Sequence, residues 1–363
     1  MRKQRKRSGI LLLVGLLFLS ACMTREIRDF RKSLSDGRYD SEFPSKNGSG
    51  EMGMIASSVK KLYSVSYYTT WQFTREAQVL RSHITSGLFT RIALGTIETQ
   101  ESVSGSATVM LYDGQRIALL TCEHIVNAPD TIITWYDPLD ESQVPVIQSI
   151  TIKKKQENWV RDMSECGPFV VLAADPELDV AIIGKTCPSP SKEPVVFPFP
   201  YGHSAELEWG SFVYIFGYPM GMPVVTKAIV SKSVQTDPDE FTVDALLNKG
   251  YSGGLILAIR DGVPHFELVG MVRSVSSEEE YFLKPASGNK RYNEIFPYKG
   301  DVFADTRESI RYGLNFTIPA GKILGFYQKN RAGLLREGFN LDPFFGLVEK
   351  PGQKRDKTSD ADN

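Results

Sequence analysis

Three segments of the chain carry the types of side chain that nucleophilic catalysis by a serine requires. His124 follows one apolar run, Asp179 opens another, and Ser252 lies among glycines. A serine hydroxyl becomes a nucleophile when a histidine takes its proton, and a carboxylate holds that histidine in the correct tautomer. These residues therefore predict a triad in which His124 is the general base, Asp179 the orienting acid and Ser252 the nucleophile.

The segment 250–254, Gly-Tyr-Ser-Gly-Gly, supplies the backbone that such a serine needs. Glycine allows the chain to turn sharply, and the amide groups of Gly250 and Ser252 are the predicted donors to the oxyanion. Asp175 is an alternative acid. It precedes a proline and indicates a turn, which favours Asp179.

Short apolar runs separated by turn residues dominate the chain. The runs 107–112 and 116–121, joined through Asp113 and Gly114, predict a β-hairpin. Further runs of this kind are 131–135, 169–173, 180–184, 212–216, 228–233, 255–259 and 268–272. Many short strands without long helices between them predict an all-β sandwich or barrel. A helix is predicted late in the chain, at 320–335.

In this order the motifs resemble those of the trypsin-like serine proteases, and among them the HtrA type of bacterial envelope protease. The triad order His, Asp, Ser is that of the chymotrypsin-type fold. Gly105-Ser106-Ala107 is similar to the family's Gly-Ser-Gly motif, 204–219 to its strand before Gly-Asn-Pro, and 313–319 to its last strand. The resemblance covers roughly residues 64 to 335.

The resemblance implies an all-β fold of two six-stranded antiparallel β-barrels with a C-terminal helix. It also implies a serine endopeptidase that forms an acyl-enzyme, takes proteins or peptides of the cell envelope as substrates, and needs no cofactor or metal. Tyr251 stands where the family usually has Asn or Asp. The alternative is therefore a non-catalytic or latent protease-fold lipoprotein that acts as a binding or chaperone module.

The family also suggests where the specificity pocket lies. Its base is about six residues before the nucleophile, which is Leu246 here, and its wall is formed by Met271, Val272 and Arg273. An apolar base predicts cleavage after small or medium aliphatic residues, because an unpaired buried cation is costly. Asp244 is the alternative base, and it would favour Lys or Arg instead.

The N-terminus has the order of a secretory signal, with a basic start, an apolar run at 10–19 and small residues before Cys22. The apolar run is shorter than the roughly 20 residues that span a bilayer. The sequence Leu-Ser-Ala-Cys resembles the bacterial lipobox, which implies cleavage after residue 21 and a lipid on Cys22. We therefore expect an extracytoplasmic protein anchored to a bacterial membrane.

Four regions are predicted on this basis: a signal peptide at 1–21, a flexible tether at 22–60, a protease domain at 61–340 and a partly disordered tail at 341–363. Removal of the signal peptide takes away five basic residues and changes the net charge from -1 to -6. Such a mildly acidic protein lacks the basic surface that nucleic acid binding requires, so no nucleic acid partner is expected.

Three cysteines follow Cys22, an odd number for an oxidising compartment. The runs 169–173 and 180–184 predict a hairpin centred between residues 176 and 177, and Cys166 and Cys187 are centred on the same point. Ideal pairing would bring these two thiols within reach of a disulfide if no bulge intervenes. Cys122 is then predicted to be a buried thiol.

Overall fold

The structure, a computed structural model, describes residues 35–44, 46–136, 144–236, 240–285 and 302–347. The helices are α1 (Ser49–Ser58), α2 (Arg81–Thr85), α3 (Phe89–Ile92), α4 (Glu123–Val126) and α5 (Ala320–Arg336). The strands are β1 (Val59–Gln72), β2 (Gly95–Tyr112), β3 (Arg116–Thr121), β4 (Thr131–Trp135), β5 (Ile147–Val160), β6 (Val170–Asp175), β7 (Val180–Thr186), β8 (Phe212–Gly217), β9 (Val224–Lys232), β10 (Thr242–Val243), β11 (Leu255–Ile259), β12 (Phe266–Pro285) and β13 (Val302–Pro319).

Six strands of the C-terminal half form a closed barrel in the order β10-β13-β12-β11-β8-β9. Successive side chains of a strand point to opposite faces, and β8 shows the consequence. Val213 and Ile215 belong to one apolar cluster together with β11 residues of the same kind, whereas Phe212, Tyr214 and Phe216 belong to a second, larger cluster. The barrel wall is therefore buried on both faces here.

The N-terminal sheet has seven strands in the order β4-β5-β1-β2-β3-β7-β6. A single bridge between Asn158 and Phe169 joins the end of β5 to the residue before β6, and the Phe169 amide donates to the Asn158 carbonyl at 2.7 Å. This single contact brings the two ends of a six-strand run together, and β4 is an added strand on β5. The predicted all-β fold class with a six-stranded barrel and a C-terminal helix is confirmed, whereas the other predicted barrel is a seven-stranded half-barrel sheet.

The predicted tether at 22–60 is wrong in its second half. Tyr39 is buried and pairs with Arg260 at the end of β11, and its hydroxyl donates to Glu267 at 2.6 Å. Ile55 of α1 is completely buried in the larger apolar cluster. This segment is polar in composition, but its few apolar and aromatic side chains pack against the folded domain.

The predicted tail at 341–363 also begins too early. Leu341 is fully buried, and the ring of Phe345 stacks on that of Tyr327 in α5 with centroids 4.4 Å apart. The guanidinium of Arg331 donates to Asp342 at 2.6 and 2.7 Å. Residues up to 347 therefore belong to the folded domain, and 348–363 lie outside the described residues.

The predicted signal peptide and Cys22 also lie outside the described residues. Within the part of the chain that the structure describes, no helix has both the length and the apolar character needed to cross a membrane.

Candidate active site

The pairing of β3 with β7 brings His124 and Asp179 together. Thr121 at the end of β3 pairs with Ala181 near the start of β7, so the residues just beyond these positions are neighbours. The His124 ring nitrogen Nδ1 lies 2.9 and 3.0 Å from the two carboxylate oxygens of Asp179. The backbone amide of His124 donates to the same carboxylate at 3.0 Å.

This contact assigns the two ring nitrogens different roles. With Nδ1 facing the carboxylate, Nε2 is left as the nitrogen that can accept a proton. The side chain of Asp179 is 11% exposed and that of His124 is 43% exposed. A sheltered acid therefore orients a base that stays open to the cleft.

The backbone of Asp179 is in the left-handed region, with φ 58°. A non-glycine residue adopts this conformation at a cost, and such outliers cluster at functional sites. Asp175, the alternative acid, has a different place. Its carboxylate accepts the backbone amides of Glu177 and Leu178, both at 3.1 Å, so it caps the turn between β6 and β7.

The segment around Ser252 is held from two sides by backbone hydrogen bonds. The carbonyl of Ser252 accepts the amide of Ser106 in β2 at 2.8 Å. The amide of Gly253 donates to the carbonyl of Val272 in β12 at 2.9 Å. In addition, the Ser106 hydroxyl donates to the Gly250 carbonyl at 2.8 Å and accepts the Tyr218 amide at 2.9 Å.

Two glycines of this segment are required by its conformation. Gly250 has φ 106°, and a Cβ there would lie 2.5 Å from the Tyr218 carbonyl oxygen. Gly253 has φ 79°, and a Cβ there would lie 2.1 Å from the Ser106 carbonyl oxygen. Positive φ and backbone contact together exclude other residues. Tyr251 between them is buried in the C-terminal barrel and anchors the loop.

Three polar groups of the serine loop have no hydrogen-bond partner in the part of the chain that the structure describes. Among the described residues, the hydroxyl of Ser252 makes no hydrogen bond, and the amides of Gly250 and Ser252 have no acceptor. Catalytic hydrogen bonds are often long before substrate binds and tighten in the complex. The two amides and the hydroxyl therefore keep their hydrogen-bonding capacity.

The predicted base of the specificity pocket is wrong. Leu246 is 70% exposed, whereas its neighbours Ala245 and Leu247 are buried in the barrel. The alternation of this segment also turns Asp244 outward, where its carboxylate accepts the amide of Ile229 at 2.8 Å. Neither alternative forms a closed pocket base in this structure.

The predicted pocket wall lies beside the serine loop. Met271 and Val272 are buried, and Val272 exchanges backbone hydrogen bonds with Gly253 and Gly254. The guanidinium of Arg273 donates to the carbonyl of Glu177, in the turn before Asp179, at 3.4 Å. Arg273 therefore links the wall strand to the turn that carries the acid.

Cys166 and Cys187 form a disulfide with Cα atoms 5.3 Å apart. The hairpin register from which the pair was predicted is nevertheless wrong. Val170 pairs with Gly184, one residue beyond the predicted partner, and a bulge at Leu172 adds a further residue of offset before β6 ends. Cys166 lies in the 3₁₀ helix Arg161–Cys166, before β6 begins. Its position is therefore not set by the strand register, and the two thiols can still meet.

Cys122 is a free, fully buried thiol, and it donates to the Val272 carbonyl at 3.3 Å. Burial, together with the negative charge of Asp179, raises the pKa of this thiol well above its usual value. In the described chain, Cys122, His124 and Asp179 form the group whose donor atoms, all within 4.8 Å, could hold a metal ion. Here these atoms are engaged in hydrogen bonds to one another or to backbone.

Sequence reasoning assigned no role to Ser106, although the motif that contains it was noted. This side chain is fully buried and joins Gly250 to Tyr218. The Thr121 hydroxyl in turn donates to the Ser106 carbonyl at 2.8 Å. A small hydroxyl residue directly after Gly105 was the available signal, but its partners are over 100 residues away in the sequence.

Comparison with known proteins shows what the region around this site is similar to. A search of curated sequences finds no significant match. The serine endoprotease from Yersinia pestis is structurally similar, with 15% identity over 82% of this chain and 69% of that chain and a TM-score of 0.38. The atomic-resolution structure of HBP is similar with 12% identity over 64% and 85% of the two chains and a TM-score of 0.31. Residues 105–271 match the model of the trypsin-like peptidase domain. This matched region, which is similar to the trypsin-like peptidase domain, contains all three candidate triad residues.

Proposed function

We propose that the protein is a serine endopeptidase that cleaves proteins or peptides with Ser252, His124 and Asp179. The observation that carries this proposal is the contact of both Asp179 carboxylate oxygens with Nδ1 of His124. It orients the imidazole so that Nε2 can take a proton from a serine, and Ser252 lies on a glycine-shaped loop within the same family region.

The geometry supports an acyl-enzyme mechanism. The Ser252 hydroxyl attacks the carbonyl carbon while Nε2 of His124 takes its proton, and the proton then passes to the leaving amine. Water attacks the resulting ester with the help of the same nitrogen. The amides of Gly250 and Ser252 would stabilise the oxyanion in both steps, and one such donor contributes about 100- to 1000-fold in rate.

A binding or chaperone module without catalysis is the second candidate. It is favoured by one observation, which is that the Ser252 hydroxyl has no hydrogen bond to His124 among the described residues. A fluorophosphonate probe distinguishes the two, because it reacts only with an activated serine. Labelling of the wild type at Ser252 that is lost in His124→Ala, and kept in the surface control Ser86→Ala, supports the peptidase. Absence of labelling in the wild type supports the binding module.

Membrane anchoring through a lipid on Cys22 is the second part of the proposal, with an extracytoplasmic location in a bacterial envelope. It is supported by the basic start, the apolar run and the Leu-Ser-Ala-Cys order. Tyr39, fixed on the barrel, follows Cys22 by 17 residues. A fully extended chain would span about 60 Å over this length, so the anchor limits cleavage to substrates near the membrane.

The anchor is tested by fatty-acid labelling in cells and membrane fractionation. Cys22→Ser should abolish the lipid label and either release the protein or leave an unprocessed precursor. The matched control Cys122→Ser, at a thiol buried in the fold, should keep both the label and the membrane association. A Cys22→Ser protein that is processed normally and stays with the membrane would rule out this anchor.

A further inference from the structure

An apolar groove lies between α1 and the β8–β9 hairpin, with a volume of about 330 Å³. Met52 and Ala56 of α1 line one side, and Phe216, Tyr218 and Val225 line the other. Among the lining residues, all of them in the described chain, there is no charged side chain. This composition and size suit one or two aliphatic or aromatic side chains.

The groove adjoins the loop that carries the nucleophile. Tyr218 lines it, and the amide of Tyr218 is bonded to the Ser106 hydroxyl, which also bonds the Gly250 carbonyl. Gly217 also lines it, and a Cβ at that residue would lie 2.7 Å from the ring of Tyr251. Two residues of the groove therefore touch the segment immediately before Ser252.

Exposed methionines lie next to groove-lining residues in the sequence. Met220 is 82% and Met222 57% exposed, on the turn between β8 and β9, and Met54 of α1 is 48% exposed. Unbranched thioether side chains adapt to ligands of different shape and are common on binding surfaces.

The position of the groove relative to the serine loop indicates its occupant. Gly253 contacts the wall strand at Val272, whereas Gly250 contacts Tyr218 at the groove. The wall strand is where we expect the substrate residue before the scissile bond. The groove adjoins the loop at Gly250, which is the end away from the wall strand and from the expected position of that substrate residue.

We propose that this groove binds apolar side chains of the substrate segment on the leaving-group side of the cut. The inference rests on the proposed endopeptidase function and specifies its substrates as polypeptides with aliphatic or aromatic residues after the scissile bond. One wall comes from α1, which precedes the family region 105–271.

The test compares peptide pairs built on a casein sequence that the wild type cleaves, differing only in Leu or Ser at the second to fourth positions after the scissile bond. Burial of one Leu-sized side chain predicts a KM about ten- to hundredfold lower for the Leu peptide with little change in kcat. Ala56→Trp, which fills the groove, should remove this difference. Ser57→Trp, on the exposed side of the same helix, should keep it.

A second groove variant and a binding assay complete the test. Val225→Asp places a charge in the groove at a half-exposed position, and it should also remove the preference if Ala56→Trp fails to fold. Binding of the dansylated Leu peptide to Ser252→Ala protein, followed by fluorescence anisotropy, needs no turnover. Loss of that binding in the Ala56→Trp background supports the groove even if no cleavage is found, whereas equal KM values for Leu and Ser peptides in an active enzyme overturn it.

Discussion

The two halves of the candidate site are held by different kinds of hydrogen bond. On one side, the side chains of His124 and Asp179 bond directly to each other. On the other side, Ser252 is placed through its backbone and that of its neighbour, by bonds to Ser106 and through Gly253 to Val272. Its own hydroxyl has no partner among the described residues.

Because of this difference, the His124–Asp179 contact is complete before substrate binds, whereas the hydrogen bonds of the Ser252 hydroxyl form only with substrate. The orientation of the base is fixed in advance by a charged acceptor, so it costs little at the moment of reaction. The nucleophile and the two oxyanion donors keep their hydrogen-bonding capacity for the substrate. Substitution of Ser252 should therefore lower the catalytic rate without lowering the stability of the fold. Substitutions that break buried hydrogen bonds should lower both.

The largest effect is expected for Ser252→Ala. Loss of the nucleophile should lower kcat on casein-derived peptides by at least about a thousandfold. The thermal midpoint should change by less than about 1 °C, because the hydroxyl makes no hydrogen bond within the described residues that the substitution would remove. Peptide turnover and calorimetry of the same preparations check both parts. Undiminished turnover would show that another residue is the nucleophile.

Asp179→Asn tests the contact between Asp179 and His124, which is formed before substrate binds. The amide can donate to Nδ1 and so favours the wrong tautomer of His124, and kcat should fall about ten-thousandfold, as in the trypsin case on which this expectation is based. The fold should persist, since Asn also tolerates the left-handed backbone. Steady-state kinetics give the activity, and the ¹⁵N chemical shifts of the His124 ring report the tautomer. An unchanged tautomer with full activity would contradict the assigned role of Asp179.

Ser106→Ala tests the scaffold behind the serine loop. Its buried hydroxyl bonds both the Gly250 carbonyl and the Tyr218 amide, and each buried group left unpaired costs about 1–3 kcal/mol. We expect a lower free energy of unfolding and a kcat reduced by about 10- to 1000-fold, since one oxyanion donor becomes misplaced. Ser104→Ala, on the exposed part of the same strand, should change neither quantity.

The smallest effect is expected for Cys122→Ala. The thiol bonds the Val272 carbonyl across the two halves but takes no part in the chemistry, so kcat/KM should stay within about threefold, while stability falls by about 1 kcal/mol. Because burial raises its pKa, the folded thiol stays protonated while the unfolded thiol ionises near pH 8.5. The wild type should then lose stability as the pH rises above that value.

The variant lacks this ionisation and should show a flatter decline of stability between about pH 8 and 10. Denaturant titrations across this range measure the difference. Rapid loss of activity with a thiol reagent at neutral pH would contradict a buried, protonated Cys122.

The sequence by itself determined the members of the candidate triad and the strand pattern that surrounds them. A histidine after a strand, an acid before a strand and a serine among glycines are each local signals, because the chemistry and the turn both demand particular residue types at fixed spacing. The need for glycine at 250 and 253 follows from positive φ angles that other residues rarely adopt. The all-β class follows from the apolar runs.

Only the tertiary structure decided the side to which Leu246 faces, the place of Tyr39 and α1, and the register of the hairpin before Asp179. These depend on partners distant in sequence: Ala245 and Leu247 turn inward because the barrel core receives them, and Tyr39 is ordered by Arg260 and Glu267. A bulge at Leu172 shifts the register without any local signal. Burial is a property of the whole packed chain, and a polar stretch with a few apolar side chains becomes structure only when a surface exists to receive them.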